Sequence, residues 1–267
     1  MRLEILFEPK ANEYILPVNY LYPLSAVVYK IFAAGSESIA KWLHEKGFTD
    51  NTGKNLKLFN FSKLVFEKYS INTEFIKCRG NCSFIFSTPV ETKLAETFIS
   101  GIFNLQSFQI GNSRYQSEFV IKGIEIRKPP EFSDEHVFKL ITPVSVSTMI
   151  EINNKKQIYY FRPEDKSFTE AIRKNLIKKY EMLYRKQYTG NLELALPVGV
   201  GYKSKLIHIK EGTPDETRIK GFLTTISIKG EPEIMEVAYY CGIGERNSLG
   251  FGMVEIELIE RRLTISK

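Results

Sequence analysis

Four glycines within eleven residues, Gly242, Gly244, Gly250 and Gly252, form two Gly-x-Gly pairs around the tip Glu245-Arg246-Asn247-Ser248-Leu249. Such a density marks a backbone that turns through positive φ or lies against a neighbour with no Cβ between them. The segment runs into the alternating pattern Met253-Val254-Glu255-Ile256-Glu257-Leu258, so it is a loop that leads into a strand. Two readings stay open on these residues alone: main-chain N–H groups that cradle phosphates, or a tight turn between a helix and an edge strand. The spacing is not the Gly-x-Gly-x-x-Gly of a dinucleotide fold, and no Gly-Lys-Ser/Thr follows as in a nucleotide-binding P-loop. Both of those nucleotide folds lose weight.

Upstream, the chain divides at Arg127-Lys128-Pro129-Pro130, where consecutive prolines end a strand. This predicts two domains, 1–128 and 129–267. In the first, Arg2 to Phe7 reads as a strand, and Pro23 to Ala34 and Ser36 to Lys46 as helical segments broken at Gly35. Strands follow at Leu56 to Phe66 and on either side of a hairpin turn at Arg79-Gly80-Asn81. Thr88-Pro89-Val90-Glu91 has the layout of a capped helix start, and Val90, Leu94, Phe98 and Ile102 then form a core-facing stripe. A strand near Phe119 to Ile126 completes a β-α-β-β-α-β order. In the second, strands are expected at Val137 to Thr142 and Val144 to Ile150. A helix near Pro163 to Arg185 carries Phe168, Ile172, Leu176 and Tyr180 inward, with its basic residues facing outward. Leu192 to Leu196, Lys203 to Ile209 and Arg218 to Lys229 read as strands, Pro232 to Cys241 as a helix, and Phe251 to Leu258 as the last strand. The fold class is α+β.

The 37 basic and 31 acidic residues leave a net charge of +6, which suits a polyanionic partner without requiring one. Distribution is more telling than the total. Arg173, Lys174, Lys178, Lys179, Arg185 and Lys186 face one anion, Glu181, and a second cluster comprises Lys203, Lys205, His208 and Lys210, followed by Arg218 and Lys220. Either cluster is a solvated face or a phosphate-binding one. Cys78, Cys82 and Cys241 support neither a disulfide framework nor a zinc site. No apolar run approaches the ~18 residues of a membrane span, and the first residues lack a secretory layout, so a cytoplasmic protein is expected.

The glycine segment resembles the C-terminal signature Gly-h-Gly-x5-Gly-h-Gly, where h is an apolar residue, of the CRISPR-associated endoribonucleases that cut precursor CRISPR RNA within its repeats, members of the RAMP superfamily. The N-terminal third resembles the same family independently. Leu16-Pro17-Val18-Asn19-Tyr20, Tyr22-Pro23-Leu24-Ser25, Leu43-His44-Glu45-Lys46-Gly47-Phe48 and Lys57-Leu58-Phe59-Asn60-Phe61-Ser62 follow in the family's order. Residues from roughly 65 to 190 agree in pattern only. The resemblance implies two tandem ferredoxin-like (βαββαβ) domains followed by the glycine-rich loop.

It also implies RNA cleavage without metal or cofactor, by attack of the 2′-hydroxyl to leave a 2′,3′-cyclic phosphate and a 5′-hydroxyl. That chemistry needs a proton acceptor, a proton donor and a cation for the phosphorane. His44 ends a helix before Gly47, where the macrodipole favours imidazolium; it is either a capping histidine or a group that transfers protons. The resemblance places the family's histidine there, a tyrosine at Tyr29 and a lysine at Lys57, with Lys54 and Lys46 close enough to compete. For RNA binding it points to Gly242, Gly244, Arg246, Asn247, Gly250 and Gly252, with Lys203, Lys205, Arg218 and Lys220 on a neighbouring hairpin. The implied partner is CRISPR repeat RNA, as hairpin or single strand. The rival reading is a non-catalytic RNA-binding subunit of a CRISPR interference complex, and a homodimer is left open. His44 separates enzyme from rival.

Overall fold

The computed structural model describes residues 1–49, 53, 55–89 and 93–257. The first half opens with β1 (Arg2–Pro9) and β2 (Glu13–Pro17), then α1 (Leu21–Gly35) and α2 (Glu37–Glu45). Pro23 is tolerated in α1 because first-turn N–H groups have no helical acceptor. Ser36 separates the helices and caps the second, its Oγ accepting from Ile39 N at 3.4 Å. A minimal hairpin follows, β3 (Phe48–Thr49) and β4 (Asn55–Leu56), then β5 (Asn60–Phe61), β6 (Val65–Ile71) and the long β7 (Phe75–Ser87). The expected strand from Leu56 to Phe66 is therefore three short pieces. α3 (Leu94–Asn104), β8 (Phe108–Gly111) and β9 (Gln116–Arg127) complete this half.

β7 organises the N-terminal sheet, whose order is β2-β7-β1-β9-β8 with β5 and β6 also paired to β7. One edge of β7 carries β2 and then β1; the other carries β6 and then β5. The expected hairpin turn at Arg79-Gly80-Asn81 is absent: these residues lie inside β7, and Gly80, at φ 77°, sits opposite the register shift between Phe66 and Lys68. The reversal lies at Asn72 to Glu74, where Asn72 Oδ1 accepts from Glu74 N and Phe75 N at 2.9 and 2.8 Å. A bulge and a turn present the same glycine signal in sequence. Leu94, Phe98 and Ile102 are buried as the stripe requires, and Phe98 stacks on Phe86 with centroids 3.6 Å apart. Val90 and Glu91 lie outside the described residues. Thr88, expected as the cap, sends its hydroxyl to Leu58 O at 2.8 Å.

The second half contains β10 (Glu135–Leu140), the hairpin β11 (Ser147–Ile152) and β12 (Lys155–Tyr160), and α4 (Ser167–Tyr184). Then come β13 (Glu193–Ala195), the hairpin β14 (Lys203–Ile209) and β15 (Thr217–Leu223), β16 (Thr225–Lys229), α5 (Pro232–Cys241) and β17 (Val254–Ile256). Its four-stranded sheet has the order β13-β16-β10-β17. Phe168, Ile172 and Leu176 of α4 and Ile234, Met235 and Val237 of α5 are buried together with Phe138, Ile226 and Ile228 of this sheet.

The halves are joined by more than the chain. Ile207 and Ile219 of the β14-β15 hairpin are buried in the N-terminal core, and Leu58 in the C-terminal one. Arg2, buried on β1, reaches Glu255 Oε1 at 2.8 Å and the carbonyls of Tyr239 and Val254 at 2.7 and 2.6 Å. Its guanidinium also lies 3.3 Å from the Tyr239 ring centroid. No described helix is long and apolar enough to cross a membrane.

Candidate active site

Three short steps of chain bring His44, Lys57 and Tyr29 together. α2 stops at Lys46, and Gly47 follows at φ 67°, its N–H bonded to Trp42 O at 2.8 Å. The β3-β4 hairpin then returns the chain beside that turn, so that a Cβ on Gly47 would lie 2.7 Å from Leu56 O and 3.3 Å from the Lys57 side chain. Lys57 donates from Nζ to Tyr29 Oη at 2.8 Å, and the Tyr29 and His44 rings meet edge-on with centroids 6.1 Å apart. Leu43 is buried, which turns its neighbour His44 out to solvent.

Tyr29 is held by Phe59, 5.9 Å away ring to ring, so its aromatic body belongs to the core margin while its hydroxyl belongs to the surface corner. Burial raises the phenol to about 12, opposed by a side-chain hydrogen bond from Ser248. Tyr29 is thus a neutral phenol at ordinary pH. Desolvation lowers the Lys57 pKa, the expected response of an ammonium drawn partly out of water. Lys46 is exposed, and Lys54 lies outside the described residues.

Ser248 comes from the glycine-rich loop, which packs directly on this corner. Gly242, Gly244, Gly250 and Gly252 all have φ between 70° and 83°. Two of them face the N-terminal half: a Cβ on Gly242 would sit 2.0 Å from Asn60 Nδ2, and one on Gly250 would sit 2.7 Å from the Phe61 ring. Any side chain there would drive the loop off β5. The two sequence signatures, remote in the chain, are therefore opposite faces of one contact.

The loop is also tied from below. Lys179 of α4, only 1% exposed, donates to Gly242 O, Gly244 O and Asn247 Oδ1 at 2.7, 2.9 and 2.6 Å. This corrects, for Lys179, the expectation that the basic residues of α4 face outward; Arg173 and Lys174 do. Asn247 is buried, and its Nδ2 spans the loop to Ile243 O and Phe251 O at 3.1 and 2.9 Å. Its side chain serves the loop's interior. Arg246 remains at the surface, beside Glu245 at 3.1 Å and 5.7 Å from the Tyr160 ring centroid.

Models of two families together match nearly the whole chain: "CRISPR-associated protein Cas6, N-terminal" over residues 15–125 and "CRISPR associated protein Cas6, C-terminal" over 127–256. The chain belongs to the Cas6 family. It is 27% identical over 254 residues to "CRISPR-associated endoribonuclease Cas6 1" of Methanocaldococcus jannaschii, covering 95% of this chain and 92% of that one. Among solved structures, that of a Cas6-related gene from Pyrococcus furiosus superposes with a TM-score of 0.81 at 24% identity, covering 97% of this chain and 99% of that one. One described as a RAMP protein binding different RNA substrates gives 0.80 at 23% identity, covering 96% and 99%.

In this Cas6 chain the expected basic hairpin exists, and its register sorts the cations. Lys203 and Lys205 pair with Leu223 and Gly221 and share a face with Ile207 and Ile219, the face turned to the N-terminal half. His208, Arg218 and Lys220 occupy the opposite face, where Glu216 Oε1 holds His208 Nδ1 at 2.9 Å and Arg218 Nε at 3.3 Å. The four hairpin cations therefore do not form one patch. Sequence reasoning missed Lys63, which follows the Lys57-to-Ser62 motif. Burial first, and Lys205 second, lower its pKa, so the N-terminal half and the hairpin set two ammonium groups near each other. It missed Ser248 and the inward course of Lys179 as well. Lys179 carried a signal, because 172, 176 and 179 fall on one helical face.

Proposed function

We propose that this Cas6 chain is an endoribonuclease that cuts CRISPR repeat RNA in precursor transcripts, without a metal or other cofactor. Its architecture reads as two ferredoxin-like units, 1–128 and 129–267. The support is strand order: taking β1, the β5-β6 region, β7 and β9 as strands one to four of the first, and β10, β13, β16 and β17 of the second, both sheets run four-one-three-two. Lys63 and Lys205, which stand near each other, with Lys203 on the same hairpin face and Arg246 on the glycine-rich loop, would take the phosphates. Arg218 and Lys220 on the outer hairpin face would extend that contact.

The observation that carries the activity is the Lys57–Tyr29–His44 corner, with its 2.8 Å Lys57–Tyr29 hydrogen bond. The 2′-oxygen attacks phosphorus, the bond to the 5′-oxygen breaks, and one proton must leave the former and one reach the latter. His44, at the open side, is the group suited to move protons. A phenol at about 12 is too basic to lose its own at ordinary pH, so Tyr29 orients the reacting hydroxyl rather than deprotonating it. Lys57 uses one of three donors on Tyr29 and keeps the others for the phosphorane, where partial desolvation strengthens its charge. The products are a 2′,3′-cyclic phosphate and a 5′-hydroxyl.

The test is a labelled cognate repeat incubated with the purified protein in EDTA, beside the same repeat carrying one 2′-deoxy sugar upstream of the cut. Cleavage of the first and survival of the second, with both bound, is expected. Cutting of the deoxy substrate, or activity that needs added Mg²⁺, would overturn the mechanism. Binding with no cutting of either would favour the non-catalytic RNA-binding subunit.

A further inference from the structure

A cavity of about 340 Å³ opens between α2, the start of α3 and the end of α4, with walls from both halves of the chain. Those walls are apolar: Ile39 and Trp42 of α2, Phe48 of β3 and Leu94 of α3 on one side, Met182 and Leu183 of α4 on the other. Two cations, Lys93 and Arg185, complete the lining, and no acidic side chain shares it. Both are exposed, and neither is paired with a carboxylate among the described residues. Trp42 is the only tryptophan of the chain. It meets Phe48 edge-on with centroids 5.0 Å apart, and its carbonyl accepts from Lys46 N and Gly47 N, both at 2.8 Å, so the indole sits on a pinned helix end. Arg185 closes α4 in the left-handed region, at φ 56° and ψ 30°, where glycine is the usual residue. A bulky side chain kept at an unfavourable backbone position points to a task for its guanidinium that glycine could not perform.

We propose that this cavity takes one nucleotide of the repeat RNA, its base against the Trp42 indole and its phosphate on Lys93 and Arg185. The proposal rests on the RNA-binding part of the reading above and adds a subsite outside the candidate active site. Charge and shape choose the occupant. An apolar side chain from a partner protein would fill the walls and leave both cations unanswered, whereas a nucleotide brings a flat stacking face and an anion in one unit. The volume stands at the small end of ligand pockets, which suits a single nucleotide rather than a stack of them. Arg185 also offsets the partial negative charge at the C-terminus of α4, which would otherwise oppose a phosphate there. Trp42 precedes His44 by two residues, so the two project on roughly opposite sides of α2. A strand passing His44 reaches the cavity by crossing the end of a helix about 10–12 Å across, which takes a few nucleotides. The seated base is thus remote from the cut and sets the register of the strand.

Because the chain has one tryptophan, its intrinsic fluorescence reads the cavity directly. Titration with a cognate repeat made uncleavable by one 2′-deoxy sugar should quench Trp42 in step with binding, followed separately by the anisotropy of a labelled repeat. Among repeats carrying single abasic sugars, one should bind without quenching. Trp42→Leu, which keeps an apolar wall but removes the ring, should weaken repeat affinity about fivefold or more, the contribution of one base–aromatic stack. Arg185→Gly keeps the test independent of packing around Trp42. It should weaken affinity about tenfold while holding or raising the thermal midpoint, because glycine is at ease in the left-handed region. Binding without any change in Trp42 emission, a quench retained by every abasic repeat, or full affinity in Arg185→Gly overturns the proposal and leaves the endoribonuclease reading standing. Quenching by adenosine or uridine monophosphate but not by the repeat also overturns it, and assigns the cavity to a free nucleotide. A repeat that does not bind at all overturns both.

Discussion

Lys57 and Lys179 are both drawn out of water, yet one stands beside Tyr29 and His44 in the candidate site and the other beneath the glycine-rich loop. Lys179 is saturated: three donors meet three oxygens, all within 2.9 Å. Lys57 is partly buried and gives one hydrogen bond among the described residues, to Tyr29, and its burial lowers its pKa. An ammonium whose donors are all engaged can only hold a fold, whereas one with donors to spare and a desolvated charge can act on a ligand. Desolvation alone does not mark a functional lysine. What separates the two is how many of the donors the protein itself has used.

Substituting each lysine by methionine should break the comparison most visibly. Lys179→Met strands two carbonyls and the Asn247 amide oxygen in the interior, and stability should fall by about 3 kcal/mol or more, read as the free energy of denaturant unfolding. Lys57→Met should leave that stability within about 1 kcal/mol while slowing cleavage roughly tenfold or more. Equal destabilisation by the two would erase the distinction. Next in size is His44→Ala, which should reduce the cleavage rate by about 10²-fold at nearly unchanged repeat affinity, since the imidazole is exposed. A loss of affinity in place of rate would make His44 a binding residue. The smallest effect concerns the hairpin. Lys203→Ala and Lys63→Ala should each flatten the dependence of log affinity on log salt by a little under one unit, about 0.7 on single-stranded RNA. Arg218, already engaged by Glu216 on the outer face, should give a smaller change. An equal change at Arg218 would mean that RNA contacts both faces.

Much of the frame was legible because it is local. The break between α1 and α2, Gly47 turning the chain after α2, the Phe168 to Tyr180 stripe and the bounds of α5 each depend on residues within one or two turns. Where the reading failed, the signal was shared between structures. Arg79-Gly80-Asn81 looks the same as a hairpin turn and as a glycine opposite a bulge, and only the pairing of β6 with β7 decides. The strand expected over Leu56 to Phe66 broke because Leu58 enters one core while Phe59 and Phe61 enter the other.

By itself the sequence determined that His44 ends a helix, that four glycines crowd one loop, and that Lys203 and Lys205 share a strand face. These follow from backbone stereochemistry and the periods of helix and strand, which act over a few residues. Only the tertiary structure decided what each of them touches. The glycines are demanded by Asn60, Phe61, Val144 and Ile243 O, and Lys179 is inside because three oxygens wait for it. Periodicity tells a side chain which way to face, and packing alone supplies the partner it meets there.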